Sequence, residues 1–261
     1  MKISVVIPAF NEEKYIEACL KSVNDQEIKA DEIIVVDNNS ADKTKSIAEK
    51  MGATVVREKK QGMIHARNKG FESAKYRIIA RCDADVIVPG DWIKKIKQNF
   101  ENKDIDALSG PIIYHDSFLK SASIFPSHIY LESLRVISKG NRYLLGPNMA
   151  MKRSVWFKIK KFVNLDDSKV HEDLDLSLNI IKIGGKIGYD NSLAVKASSR
   201  RIKSRPESFF LEYPVRIAKT FLINCNGVNA IVFDAKKRFN LHPRFKNRGF
   251  RLRSAINKIK K

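Results

Sequence analysis

Four short β-branched runs, separated by stretches of helical periodicity, constrain this chain most. They are Ile3 to Ile7, Glu32 to Val36, Thr54 to Arg57 and Arg77 to Cys82. Each is strand-length and bounded by turn residues or a helix. Between the first two, Ile16, Cys19, Leu20 and Val23 recur on one helical face. Ala41 to Met51 reads as a second helix stopped by Gly52, and Met63 to Ala74 as a third. Asn11 is expected to cap the first helix, with Glu12 and Glu13 in the opening turn, where the helix dipole favours acids. Strands alternating with helices in this way predict βαβ units, hence a parallel sheet covered on both faces.

The later pattern is less regular. Pro89-Gly90-Asp91-Trp92 opens a helix with Ile93, Ile96 and Phe100 on its apolar side, and Ile105 to Leu108 reads as a strand. From Gly110 to about Ser138 the periodicity loosens. Asn148 to Met151 reads as a strand, Arg153 opens a short helix, and Glu172 to Ile183 forms a clearer one ended by Gly184-Gly185. Lys186 to Tyr189 and Leu193 to Lys196 read as short strands, and Phe209 to Ile223 as helical. The fold class expected is therefore α/β, with a mostly parallel sheet flanked by helices and a basic, helical C-terminal extension.

Apolar residues make up 43% and charged residues 30% of the 261. That is a globular composition, and it excludes disorder, collagen and coiled coil. Cys19, Cys82 and Cys225 are too few and too far apart for a disulfide framework or a thiolate metal site, which points to a reducing compartment. The first apolar run is too short for a signal peptide, and no run of about 18 apolar residues occurs. A cytoplasmic protein is expected, at most peripheral on the membrane. The net charge of +20 is uneven. Lys196 to Lys261 holds 18 Lys and Arg against 3 acids, whereas the first 195 residues hold 31 against 26. Such a tail seeks phosphate on nucleic acid, anionic lipid or substrate.

In open parallel sheets, ligands bind beyond the C-terminal ends of the strands. Three polar clusters fall there: Pro8-Ala9-Phe10-Asn11-Glu12, Asp37-Asn38-Asn39-Ser40 and Asp83-Ala84-Asp85. Singly, each also suits a cap or a turn. Asp83 and Asp85, two apart in extended chain, would point the same way and repel unless a cation lay between them. Hard oxygen ligands suit Mg²⁺ or Mn²⁺ shared with substrate phosphates. A solvated turn is the alternative.

With these clusters in place, the chain resembles the family 2 glycosyltransferases of the GT-A fold, over roughly residues 1–200. The resemblance rests on Val5 to Glu13, Val35 to Ser40, Gly62 with Ala66-Arg67-Asn68 and Gly70, Cys82 to Asp85, Gly146 to Ala150, and His171 to Leu176. It implies an inverting enzyme of the hexosyltransferase type, with 1–109 as the nucleotide-sugar half, 110–200 as the acceptor half and 201–261 as the extension. Pro8, Ala9, Glu12, Asp37 and Asn39 would hold the base and ribose. Arg67 would reach the base or the phosphates. Asp83 would meet the ribose or the metal, and Asp85 would ligate Mn²⁺ or Mg²⁺. Asp173, beside Glu172, would be the general base, although two acids in a first helical turn also simply favour the dipole. Arg200 and Arg201 would close over the diphosphate. UDP is the expected nucleotide, with a glycan or lipid-linked acceptor in cell-surface glycan synthesis.

The chain departs from the family at Lys160-Lys161-Phe162, where many relatives carry Gly-Gly-Phe. Residues 209–233 mix apolar side chains with cations, a pattern that suits either an anionic membrane surface or helices packed on the domain. A nucleic-acid-binding protein is the alternative that the charge suggests, but the rim is acidic and carries no nucleic-acid motif, so no nucleic-acid partner is expected. A sugar nucleotidyltransferase would need a Gly-rich phosphate loop where Ala9-Phe10-Asn11-Glu12 stands.

Overall fold

The computed structural model describes residues 1–114, 141–200 and 212–224. Its first half is the expected alternation: β1 Ile3–Ala9, α1 Ile16–Asn24, β2 Glu32–Asp37, α2 Thr44–Lys50, β3 Thr54–Arg57, α3 Met63–Ser73 and β4 Ile78–Arg81. β5 Val86–Ile87, α4 Trp92–Asn102, β6 Ala107–Ser109 and β7 Ile112–Tyr114 follow. The second half holds β8 Met149–Lys152, α5 Arg153–Ile159, α6 Glu172–Lys182, β9 Ile187–Tyr189, β10 Val195–Ala197 and α7 Tyr213–Asn224. The described compact unit runs from Met1 to Asn224.

Seven strands form one sheet in the order β3-β2-β1-β4-β8-β6-β9. The first four are parallel, with Ala9 opposite Asp37 at the shared C-terminal rim. β8 runs antiparallel to both of its neighbours, β4 and β6, so the sheet is mixed rather than purely parallel. A second sheet, β5-β10-β7, includes the strand expected near Leu193 to Lys196 as β10, whereas β5, with two residues, and β7, with three, are too short for periodicity to reveal. Two cores cover the faces of the main sheet. Val5, Ile7, Leu20 and Trp92 belong to one, and Val6, Val36, Phe71 and Trp156 to the other. Adjacent β1 residues therefore serve opposite faces, as the pleat requires.

Gly70 lets α3 lie close on β1 and β2. A Cβ there would sit 2.3 Å from Val6 Cγ1 and 3.0 Å from Val36 Cγ2. Both neighbours are fully buried, so neither can swing away. Gly70→Ala is expected to destabilise the protein by about 1–3 kcal/mol through overpacking, read as a fall in melting temperature.

The start of the first helix differs from expectation. Asn11 does not cap it. Its backbone has φ 53°, and its Oδ1 accepts from the Ala41 amide at 2.9 Å. The Glu12 amide donates to Thr44 Oγ1 at 2.7 Å, and the Glu13 amide to Asp42 Oδ2 at 3.1 Å. The loop is thus fastened to the segment entering α2, and α1 begins only at Ile16. The polar residues of 11–13 satisfy a neighbouring turn instead of their own helix.

Candidate active site

The rim of the parallel strands holds a cavity of about 170 Å³. Pro8, Ala9, Phe10 and Glu12 line it from the end of β1, and Asn38 from the end of β2. Gln61, Met63 and Ala66 contribute from the start of α3, and Asp83, Ala84 and Asp85 from the loop after β4. Of the residues expected to bind nucleotide, Pro8, Ala9, Glu12 and Asp83 therefore face one space. Asp37 and Asn39 are not among the lining residues. Asp37 Oδ1 accepts from the Ser40 amide at 3.2 Å, and Asn39, at φ 64°, donates from Nδ2 to the Lys59 carbonyl at 2.6 Å. Both shape the loop that presents Asn38. Asn38 Nδ2 donates to the Glu58 and Lys60 carbonyls, and its Oδ1 accepts from the Gly62 amide at 2.9 Å.

Asp83 and Asp85 do not lie in extended chain. The Val86 amide donates to the Asp83 carbonyl at 3.1 Å, closing a tight turn that carries both carboxylates to the cavity wall. Each carboxylate has its own cation. Arg81 Nη2 donates to Asp83 Oδ1 at 3.0 Å, and Arg200 Nε to Asp85 Oδ2 at 3.2 Å. Arg200 also pairs with Glu12, and its guanidinium carbon stands 4.4 Å from the centre of the Tyr15 ring. Arg201 lies outside the described residues.

Beneath the cavity is a charge network that the sequence reading only partly anticipated. Arg67 turns inward: it is fully buried, donates from Nη1 to the Glu172 carbonyl at 3.2 Å, and lies 3.7 Å from Glu172 Oε2. Its expected reach to the base or phosphates is corrected accordingly. It sits on the buried face of α3, beside Ile64 and Phe71, so its cation is directed at α6. Arg81, nominated for nothing, is 1% exposed and holds Asp83, pairs with Glu172, and stands 3.7 Å from Asp173 Oδ1. A charged residue at the end of a strand buried on both faces was the available signal.

Glu172 and Asp173 open α6. Burial pushes the Glu172 carboxyl up, but Arg81 and Arg67 outweigh it and hold the group at about 2. Asp173 goes the other way. Burial and then the Glu172 carboxylate beside it push its carboxyl well above the usual range. The Gly146 amide donates to Asp173 Oδ2 at 2.7 Å and fixes its orientation. Two adjacent acids thus have opposed proton affinities, the arrangement expected when one is a permanent anion and the other a base. His171 packs edge-on against Tyr213 at 4.9 Å, and burial pulls its imidazole down to about 4, so it is neutral at pH 7.

The carboxylates on the cavity wall suit a hard divalent cation. Among the described residues, no three His, Cys, Asp or Glu side chains form a ready cage. A cation here would complete its shell with substrate oxygens, as Mg²⁺ and Mn²⁺ do on a diphosphate.

The family model of Glycosyl transferase family 2 matches residues 4–158, more than half of the chain. The chain belongs to that family. Glycosyltransferase AglE of Haloferax volcanii is 28% identical over 148 residues, covering 53% of this chain and 49% of that protein. The GalNAc(5)-diNAcBac-PP-undecaprenol beta-1,3-glucosyltransferase of Campylobacter jejuni is 35% identical over 91 residues, covering 32% of this chain and 29% of that protein. The chain spans at most about half the length of these two relatives. Glucosyl-3-phosphoglycerate synthase of Mycobacterium tuberculosis, solved with Mn²⁺, UDP and glucosyl-3-phosphoglycerate, superposes with a TM-score of 0.64 at 19% identity, over 86% of this chain and 80% of that one. The GT-A fold is thereby shared.

Proposed function

We propose that the chain is an inverting glycosyltransferase that moves a sugar from a nucleoside-diphosphate sugar, with UDP the nucleotide, to an acceptor hydroxyl. Residues 1–200 form the transferase domain and 201–261 a basic extension whose helix α7 packs within the same compact unit, through Thr220 on the His171 amide and Asn224 on Asp175. The observation that carries this reading is the shared site: one cavity walled by Glu12, Asp83 and Asp85, with Asp173 tied to the same wall through Arg81.

Pro8, Ala9 and Asn38 frame the base and ribose, with Asp37 and Asn39 holding that loop in shape. Asp85 and Asp83 would hold Mn²⁺ or Mg²⁺, which when bound neutralises the charge developing on the diphosphate. Asp173 takes the proton of the acceptor hydroxyl, which is a poor nucleophile at pH 7. Its raised proton affinity makes it a better acceptor than an ordinary carboxylate. Glu172 keeps its charge, and Arg67 and Arg81 keep it in place. Attack from the side opposite the diphosphate inverts the anomeric carbon. Arg200 supplies positive charge beside the diphosphate.

The test is thermal stabilisation by UDP, GDP and dTDP, each with Mn²⁺ and again with EDTA. A rise with UDP and Mn²⁺ that Asp85→Ala abolishes is expected. No rise with any nucleotide would overturn the reading.

The acceptor is proposed to be a glycan or a lipid-linked sugar at an anionic membrane surface. No helix among the described residues is long and apolar enough to cross a membrane. α7 nevertheless turns Val215, Leu222 and Ile223 outward, each at least 47% exposed, with Lys219 also exposed. Eleven Lys and Arg against one acid follow from residue 225 on, outside the described residues. An exposed apolar helix face followed in sequence by clustered cations supports interfacial attachment. The protein is expected to co-sediment with vesicles rich in phosphatidylglycerol at low salt and to be released at high salt. Indifference to such vesicles at low salt would remove the membrane from the proposal.

A further inference from the structure

Arg200 stands on the carboxylates that a metal would use. Its Nε donates to Asp85 Oδ2 at 3.2 Å, its Nη2 pairs with Glu12, and its plane rests over Tyr15. Both acids line the cavity. Three separate contacts hold one guanidinium in this place, so it is a defined position and not a passing approach. A guanidinium cannot shed its proton to make way. It leaves Asp85 only if something else takes up its charge and its hydrogen bonds.

We infer that Arg200 is a cation stand-in that competes with the divalent metal for Asp85, so that the metal binds tightly only together with the nucleotide diphosphate. The diphosphate gives the guanidinium a new bidentate partner, and Asp85 is released to the metal. Metal and nucleotide thereby bind as a coupled pair. By linkage, each strengthens the other by the same factor. Bare metal would bind only weakly, because Arg200 occupies Asp85, and nucleotide without metal would leave Asp85 without its counter-cation. This inference rests on the reading of Asp85 as a metal ligand and goes beyond it by assigning the order of assembly.

The experiment measures Mn²⁺ affinity directly, by electron paramagnetic resonance of the free ion, with and without UDP. It needs no turnover. In the wild-type protein, UDP is expected to tighten Mn²⁺ binding at least about tenfold. In Arg200→Gln, Mn²⁺ alone should bind about fivefold more tightly, the effect of removing a partly exposed competing cation. The gain from UDP should shrink to a few-fold.

Simple loss of positive charge would tighten Mn²⁺ equally with and without UDP. An unchanged coupling factor in Arg200→Gln would therefore overturn the inference, as would unchanged binding of Mn²⁺ alone. Tyr15→Leu removes the perch and leaves every charge. It should shift the coupling in the same direction by about twofold, and no shift would also count against the stand-in. If Mn²⁺ binds the wild-type protein equally well without UDP, the inference falls while Asp85 remains a metal ligand. If neither protein binds Mn²⁺ even with UDP, the metal reading falls, and the inference with it.

Discussion

With Asp173 as the proposed general base, Asp173→Asn is expected to slow sugar transfer about a thousandfold and to leave nucleotide binding intact. The size follows from the usual worth of a positioned general base, about 10²–10⁴ in rate. Binding should survive because the proposed nucleotide contacts lie on the strand rim, and because Asn keeps an oxygen for the Gly146 amide, which now donates to Asp173 Oδ2. Asn cannot take a proton. Turnover of the wild-type protein should fall as pH drops through the raised value of Asp173. The residual rate of the variant should lack that limb.

Stability carries the opposite sign. The folded carboxyl binds its proton more tightly than the unfolded one, so the wild-type protein loses stability as pH rises from the ordinary carboxylate range toward the folded value. A neutral Asn escapes that loss, so the variant should melt at least as high as wild type at pH 7. Rate is read as UDP release from the donor, and binding as thermal stabilisation by UDP with Mn²⁺. Wild-type turnover in the variant would remove Asp173 from the chemistry.

Arg81→Met is expected to have the largest structural effect, a loss of about 3–5 kcal/mol. Breaking a buried ion network by removing one partner costs this much, because the remaining charges are left uncompensated. Arg81 serves Asp83, Glu172 and Asp173 together. Met fills most of the same volume, so the loss reports charge and not a cavity. The pH dependence separates the two. In the wild-type protein, Glu172 sits at about 2 against an ordinary 4.5. Its stabilising contribution is complete above 4.5 and disappears as pH falls through about 2. The stability gap between wild type and Arg81→Met should therefore narrow on acidification, followed by chemical denaturation from pH 7 to pH 3. A gap constant with pH would assign Arg81 a packing role alone.

The legible parts of the site were those whose chemistry is local. Glu172 and Asp173 are adjacent acids at a helix start, and Asp83 and Asp85 follow a buried strand, so position and residue type agree within a few residues. Arg81 was not legible in that way, because two of its three acidic partners, Glu172 and Asp173, lie 91 and 92 positions away. Arg67 was nominated for the right region and the wrong neighbour. A helix face predicts that a residue is buried, but not against what. The antiparallel course of β8 was equally hidden, since a four-residue strand such as Met149–Lys152 shows the same pattern in either direction. Asn11 failed for a different reason. Its side chain found Ala41 across the loop, and a cap is only one of the turns that Asn can satisfy.

The insertion of β8 between β4 and β6 has a consequence for how the chain is made. The end of α3 that walls the rim cavity is held by residues far downstream. The Ile64 amide donates to Asp167 Oδ1 across 103 positions, and a Cβ on Gly62 would strike that same carboxylate at 2.6 Å. β4 has no lateral partner on one side until residues 149–152 arrive. The first hundred residues alone supply only four strands of the main sheet, leaving β4 as an open edge in addition to β3, and an untethered cavity wall. The cavity wall is expected to set late, when the loop before α6 brings Asp167 to the Ile64 amide. A fragment ending near residue 109 should expose a sticky strand edge and bind nucleotide poorly. Supplying 141–224 as a separate piece is the natural way to restore both.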